Sequence, residues 1–272
     1  MKINEKYTLI TGACEGLGKA FALECASRGM NLILVDLPNH HLYNLSDFIE
    51  RNFTVKIIQY ELDLTNEISY HQLILDIEKL ALNVNIIINN VGLGGTKMFK
   101  DADPVFYEKE ILLNIMSTTI ISRLFINMLS KNSPSYILNV GSLASFFHMP
   151  RKQVYAASKS FVYSFSRSLH SELKNNGIHV SVVCPGGINT NIPVTLLNKT
   201  GSWISRMSIM NPEDVASYTI EQMLKGKEVI IPGKLNKAFL LVSKILPDPL
   251  ARFLANNHMN HMKPDHPMLK YL

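Results

Sequence analysis

The sequence predicts an α/β fold: a doubly wound parallel sheet of about seven strands with helices on both faces. Three observations carry this. Short apolar, β-branched runs alternate along the chain with longer stretches of helical period. Most of the runs lack polar alternation, the pattern of strands covered on both sides. No internal repeat, low-complexity tract or Gly/Ser linker divides the 272 residues, so one domain is the economical reading.

The strand candidates are Tyr7–Thr11, Asn31–Asp36, Val55–Tyr60, Ile86–Asn89, Tyr136–Gly141, His179–Cys184 and Glu228–Ile231. Helical stretches fall between them at about 17–29, 41–52, 67–82, 104–131, 153–175 and 212–225. Parallel neighbours need crossovers of this length. Two segments break the alternation. Residues 186–211 hold Ile192, Pro193, Leu196, Leu197, Trp203, Ile204 and Met207 without continuous period, which suggests a lid. After the last strand, Leu235, Phe239, Val242 and Leu246 fall near helical spacing with lysines between them. The main body of the domain is therefore drawn over 1–233, lid included, with 234–272 as a C-terminal helical extension and tail of the same domain.

Composition excludes several classes. With 47% hydrophobic and 18% charged residues, the chain can bury a core and is not disordered. Cys14, Cys25 and Cys184 are odd in number and scattered, which reads as free thiols in a reducing compartment. Met1–Lys6 is too polar for a secretory leader, so a cytoplasmic location is expected. No run of roughly 18 uncharged apolar residues is present, and no transmembrane helix is expected. The net charge of +5 lies wholly in residues 225–272, which argues against a nucleic-acid groove in the main body. His258, His261 and His266 lack a carboxylate scaffold beyond Asp265, and no metal is expected.

The chemistry begins at Thr11-Gly12-Ala13-Cys14-Glu15-Gly16-Leu17-Gly18, which follows the first strand and opens the first helix. A pyrophosphate must reach backbone N–H groups at a helix N-terminus, where a Cβ would block it. Asp36 ends the second strand, 18 residues after Gly18, where a carboxylate can accept from ribose hydroxyls and repel a 2′-phosphate. Glu15 adds a second negative charge, so NAD is favoured over NADP. Farther on, Tyr155 and Lys159 share one helix face at i, i+4. An ammonium there should favour the phenolate and equip Tyr155 for proton exchange. Ser142 closes the fifth strand at the sheet edge where ligands bind, thirteen residues earlier.

These motifs resemble the short-chain dehydrogenase/reductase family over roughly residues 6–232. The family's Thr-Gly-x-x-x-Gly-x-Gly matches Thr11, Gly12, Gly16 and Gly18, and its Asn-Asn-Ala-Gly matches Asn89, Asn90 and Gly92 with Val91 at the alanine. Its helix asparagine matches Asn114, its catalytic triplet Ser142, Tyr155 and Lys159, and its Pro-Gly-x-x-x-Thr matches Pro185, Gly186 and Thr190. Gly141 replaces a frequent second serine, and Cys14-Glu15 replace small or basic residues. The resemblance implies a Rossmann-type sheet. It also implies cofactor contacts from Thr11, Gly12, Glu15, Gly16, Leu17, Gly18, Asp36, Asp63, Leu64, Asn90, Gly92, Tyr155, Lys159, Pro185, Gly186, Ile188 and Thr190. Ser142 would orient the substrate oxygen and Tyr155 act as acid/base. Lys159 would bind the nicotinamide ribose and tune Tyr155, and Asn114 hold a water of the proton relay.

Ser142, Phe146, His148, Gly186, Ile192 and Leu196 are the candidate substrate contacts. Their apolar character implies a small lipophilic alcohol or ketone. A 3-oxoacyl thioester and a dinucleotide-binding sensor without turnover stay open as alternatives. The resemblance implies a homodimer or homotetramer through 104–131 and 153–175. The basic C-terminal segment suggests packing over the lid or a partner, or weak peripheral contact with a membrane or acidic carrier.

Overall fold

The computed structural model describes residues 5–190, Thr195 and 209–245. Seven parallel strands form its sheet: β1 (Lys6–Thr11), β2 (Asn31–Asp36), β3 (Ile57–Glu61), β4 (Asn83–Asn89), β5 (Ser135–Val140), β6 (Ile178–Val183) and β7 (Val229–Ile230). Between them run α1 (Gly16–Ser27), α2 (Leu42–Asn52), α3 (Glu67–Lys79), α4 (Pro104–Ile111), α5 (Ser117–Lys131), α6 (Gln153–Leu173) and α7 (Pro212–Leu224), with α8 (Lys234–Ile245) last. The strand order is β3-β2-β1-β4-β5-β6-β7. The winding reverses between β1 and β4, which opens a crevice beyond their C-terminal ends.

Strand residues alternate between two cores, as a period of two requires. Ile10, Leu34, Ile88 and Leu138 face a cluster completed by Phe21 of α1, Ile49 of α2 and Ile220 of α7. Their neighbours Leu9, Ile33, Ile87 and Ile137 face the opposite cluster, with Leu73 of α3 and Phe125 of α5. Both faces are dry, which accounts for the unbroken apolar strand runs in the sequence. Strand ends moved by a few residues: β3 begins at Ile57 rather than Val55, and β4 at Asn83 rather than Ile86.

The long helix after β4 differs from expectation in two ways. A π-helical turn, Leu112–Met116, interrupts it and carries Asn114. By length and composition Pro104–Lys131 is also long and apolar enough to cross a membrane, a segment the sequence reading did not expect because Glu110 and Arg123 interrupt its apolar run. Here Ile121, Phe125 and Leu129 are buried against the sheet.

Among the described side chains of α8, Asn236 and Leu240 are buried, whereas Leu235 is 39% and Leu241 63% exposed; Phe239, Val242 and Leu246 of the expected stripe lie outside them. Leu240 joins a small cluster with Val162, Val182 and Cys184, so α8 packs on the catalytic body. The histidines of the tail and the lid residues Ile192, Leu196 and Trp203 lie outside the described residues.

Phe125→Ala should destabilise the protein by about 3–5 kcal/mol, because a fully buried ring leaves a cavity the sheet cannot close. Denaturant unfolding at constant m-value checks this.

Candidate active site

Thr11 ends β1 and Asn90 follows β4, so both sit at the crevice. The Thr11 hydroxyl accepts from the backbone N–H groups of Asn90 and Val91, each at 3.1 Å. The Asn90 amide donates to the carbonyls of Thr11 (3.0 Å) and Gly12 (2.9 Å). The side chain expected on the adenosine side is thus a fastener between two strand ends. Gly18 closes the turn: a Cβ there would fall within van der Waals contact of the Gly12 carbonyl. Leu17 is buried under the loop, while Glu15 is exposed at the start of α1. This bare backbone at a helix N-terminus is a cradle that fits a dinucleotide pyrophosphate.

Asp36 is held at the end of β2. One of its carboxylate oxygens accepts from the Cys14 N–H at 2.7 Å and the other from the Leu37 N–H at 2.8 Å. His40 lies 3.3 Å from the second oxygen. Burial, with Asp36 beside it, pushes the Cys14 thiol up to about 12, so it remains a thiol. Asp63 accepts from the backbone and hydroxyl of Thr65, and Leu64 is buried with its carbonyl bonded by Tyr70. Thr190 lies against Gly16, across the glycine loop. Pro185 accepts from the Leu143 N–H, and Gly186 faces the Asn236 amide of α8. Ile188 pairs with Met210, which ties together the two ends of the 186–211 connection.

At the other end of the crevice, Ser142 lies beside Tyr155 and draws its phenol downward. The Ser142 hydroxyl also accepts from the Ala144 N–H at 3.1 Å, which orients it. Lys159 is buried and donates to the Val140 carbonyl at 2.8 Å, with its nitrogen 5.9 Å from the Tyr155 ring centroid. Asn114 exchanges two 2.8 Å bonds with the backbone of Leu93 and donates to Ser158 at 3.0 Å. Its amide anchors the 92–94 loop. Gly92 lies directly over Asn114 and Lys159.

Tyr155 is held above its ordinary value by burial and by Glu110 and Cys184, against Ser142. Burial also lowers Lys159 to about 8, with Cys184 and Glu110 pulling it back up. A neutral phenol beside a titratable ammonium is an acid poised to donate.

Of the substrate candidates, Ser142 and Gly186 line this end. Phe146 packs edge-to-face on Tyr163 at 4.7 Å, in the cluster that includes Leu240, while His148 is exposed. Sequence reasoning missed Glu110 and Lys152. The signal for Glu110 was available: it stands four residues before Asn114, on the same helix face.

A parallel doubly wound sheet, a glycine cradle at its reversal point and a Ser–Tyr–Lys set beyond it define a dinucleotide-binding α/β architecture. More particularly, the profile of the short chain dehydrogenase family matches residues 6–200, and the chain belongs to that family. It is 30% identical over 191 residues to the very-long-chain 3-oxoacyl-CoA reductase of Bos taurus, covering 69% of this chain and 61% of that one. It is 32% identical over 198 residues to the 17-beta-hydroxysteroid dehydrogenase type 3 of Mus musculus, covering 71% and 64%. The chain thus spans under two thirds of the length of either relative. A solved 7beta-hydroxysteroid dehydrogenase superposes with a TM-score of 0.81 at 21% identity, over 94% of this chain and 96% of its own.

Gly18→Ala should abolish dinucleotide binding and lower stability by about 1–3 kcal/mol, since the new methyl must displace the Gly12 carbonyl. Isothermal titration with NADH and thermal unfolding read the two effects.

Proposed function

We propose that this protein reduces a lipophilic ketone, or oxidises the matching alcohol, with NAD(H) as the hydride partner. The observation that carries the reading is the convergence of Ser142, Tyr155 and buried Lys159 at the C-terminal edge of the sheet, with the Lys159 nitrogen 5.9 Å from the Tyr155 ring centroid. Thr11, the glycine loop, Asp36, Lys159 and Thr190 would hold the dinucleotide, which when bound supplies or takes the hydride. Tyr155 gives its phenolic proton to the substrate oxygen in reduction and takes it back in oxidation. Ser142 holds that oxygen near the phenol. Lys159, near 8, is mostly cationic at neutral pH and offsets the negative charge left on Tyr155.

The preference for NAD rests on Asp36. Its carboxylate is fixed by two backbone N–H groups, so it cannot swing away from a 2′-phosphate. The lipophilic substrate rests on the apolar residues between Ser142 and Tyr155. A 3-oxoacyl thioester is the second reading, favoured by the likeness to the bovine reductase. Turnover of steroid ketones and of 3-oxoacyl thioesters, followed by nicotinamide absorbance, separates the two.

Self-association through α4–α6 is supported by exposed Val105, Ile111, Met116 and Phe161. The free Cys14, Cys25 and Cys184 support a reducing compartment, the cytoplasm. Contact of the basic C-terminal segment with an anionic membrane or carrier rests on its charge alone.

Tyr155→Phe should lower turnover by about 10²–10⁴-fold and leave NADH affinity unchanged, as steady-state kinetics and fluorescence titration would show. Asp36→Ala should raise kcat/KM for NADP(H) relative to NAD(H). A wild-type enzyme already favouring NADP(H) would overturn the cofactor assignment.

A further inference from the structure

A buried amide ties the last helix to the crevice. Asn236 stands in the first turn of α8 and is 1% exposed. Its Nδ2 donates to the Pro232 carbonyl at 2.9 Å, back across the turn that leaves β7. The same amide lies against Gly186. The three atoms nearest to a Cβ built at Gly186 all belong to Asn236: Oδ1 at 2.8 Å, Nδ2 at 2.9 Å and Cγ at 3.0 Å. Gly233, with φ at +85°, comes as close from below: its Cβ would meet Met210 Sδ at 3.0 Å and Asn236 Nδ2 at 3.1 Å. Met210 is bonded in turn to Gly187, through its own N–H at 3.0 Å, and accepts from the Asn189 N–H at 3.2 Å. Three stretches of chain, 186–189, Met210 and 232–236, thus meet at one side chain.

The first of these stretches runs along the site. The Pro185 carbonyl accepts from the Leu143 N–H at 2.8 Å, directly after Ser142. Thr190 Cβ would lie 3.0 Å from a Cβ on Gly16, in the glycine loop. Residues 185–190 therefore connect the Ser142 end of the crevice with the pyrophosphate cradle. Gly186 and Gly187 have no side chains to hold them, and glycine backbone is the least restrained of any residue. The Asn236 amide and the Met210 bonds supply that restraint. An apolar side chain would be cheaper to bury than an amide. Leu240, one turn farther along α8, is such a case and packs with Val162, Val182 and Cys184. At position 236 the amide instead meets a polar backbone turn on each side.

We propose that Asn236 is a positioning residue for the nicotinamide half of the cofactor: packed on Gly186 and bonded to Pro232, it fixes the 185–190 turn relative to Ser142 and Tyr155. It acts through Gly186 and does not touch the cofactor. This rests on the oxidoreductase reading above. It gives α8 a part in hydride transfer, beyond covering the catalytic body.

The test uses full-length wild type, Asn236→Leu and Asn236→Ser. NADH binding is read by fluorescence titration. Binding of ADP-ribose, the same dinucleotide without the nicotinamide ring, is read by isothermal titration. In Asn236→Leu, NADH should bind about tenfold more weakly and kcat should fall roughly 10–100-fold, the scale of a small misplacement made away from the chemistry. ADP-ribose should bind as it does to wild type. A serine hydroxyl can still bond the carbonyl four residues back, so Asn236→Ser should fall between the two. It also supplies the measurement if the leucine variant does not fold. Amide hydrogen exchange over 186–190 should quicken in both variants, a readout that needs neither ligand nor turnover. Wild type that binds neither ligand would overturn the oxidoreductase reading and this proposal together. Wild type that binds both, with variants that lose NADH and ADP-ribose equally or lose only melting temperature, would overturn the proposal alone.

Discussion

The crevice depends on one fastening, between Thr11 at the end of β1 and Asn90 just past β4. These strands are neighbours in space, but 79 residues separate the two positions. Four hydrogen bonds cross from one strand end to the other, two through the Thr11 hydroxyl and two through the Asn90 amide. They hold the glycine loop where it can present N–H groups. They also set the start of the 92–94 loop, which Asn114 then holds and which places Gly92 over Lys159 and Gly94 over Tyr155. One polar knot thereby sets the distance between the two halves of the site.

A second polar element lies beneath it. Asn89 and Asn139 stand opposite each other on β4 and β5, both fully buried. Asn89 donates to Ser122 and Asn139, and Asn139 donates to Ser166, so the chain of bonds runs from α5 through two strands to α6. In a core of Ile, Leu and Val, many pairings would satisfy burial equally well. A buried amide pair makes these bonds in one register only; Asn89 Oδ1 already goes unpaired, and a slip would strand the other polar groups as well. This ladder fixes how α6, the helix carrying Tyr155 and Lys159, sits on the sheet.

The sheet, its strand count and the order of motifs were legible in the sequence because both faces are covered, and unbroken apolar runs signal that directly. Tyr155, Lys159 and Ser142 were legible through spacing. The functions of the amides were not. Asn90 and Asn114 carry the same side chain in any sequence, and only the fold reveals that both bond backbone. Glu110 was missed because a lone acidic residue in a helix ordinarily faces water, and its burial follows from how α4 meets α6. The upward push of burial on Tyr155 was not legible either: helical spacing records proximity but not desolvation. On α8, the body takes Asn236 and Leu240, while Leu235 of the expected stripe is exposed.

The bridge between Ile188 and Met210 has a consequence for how such a protein diversifies. The two ends of the intervening segment are pinned to each other by their own backbone bonds: Asn189 donates to Met210, and Met210 to Gly187. The anchor by itself brings the two ends together. Each doubling of a flexible loop costs only about 0.6 kcal/mol in closure entropy. A change of length between these anchors should therefore cost the fold little, so that this connection is free to vary while the sheet is kept.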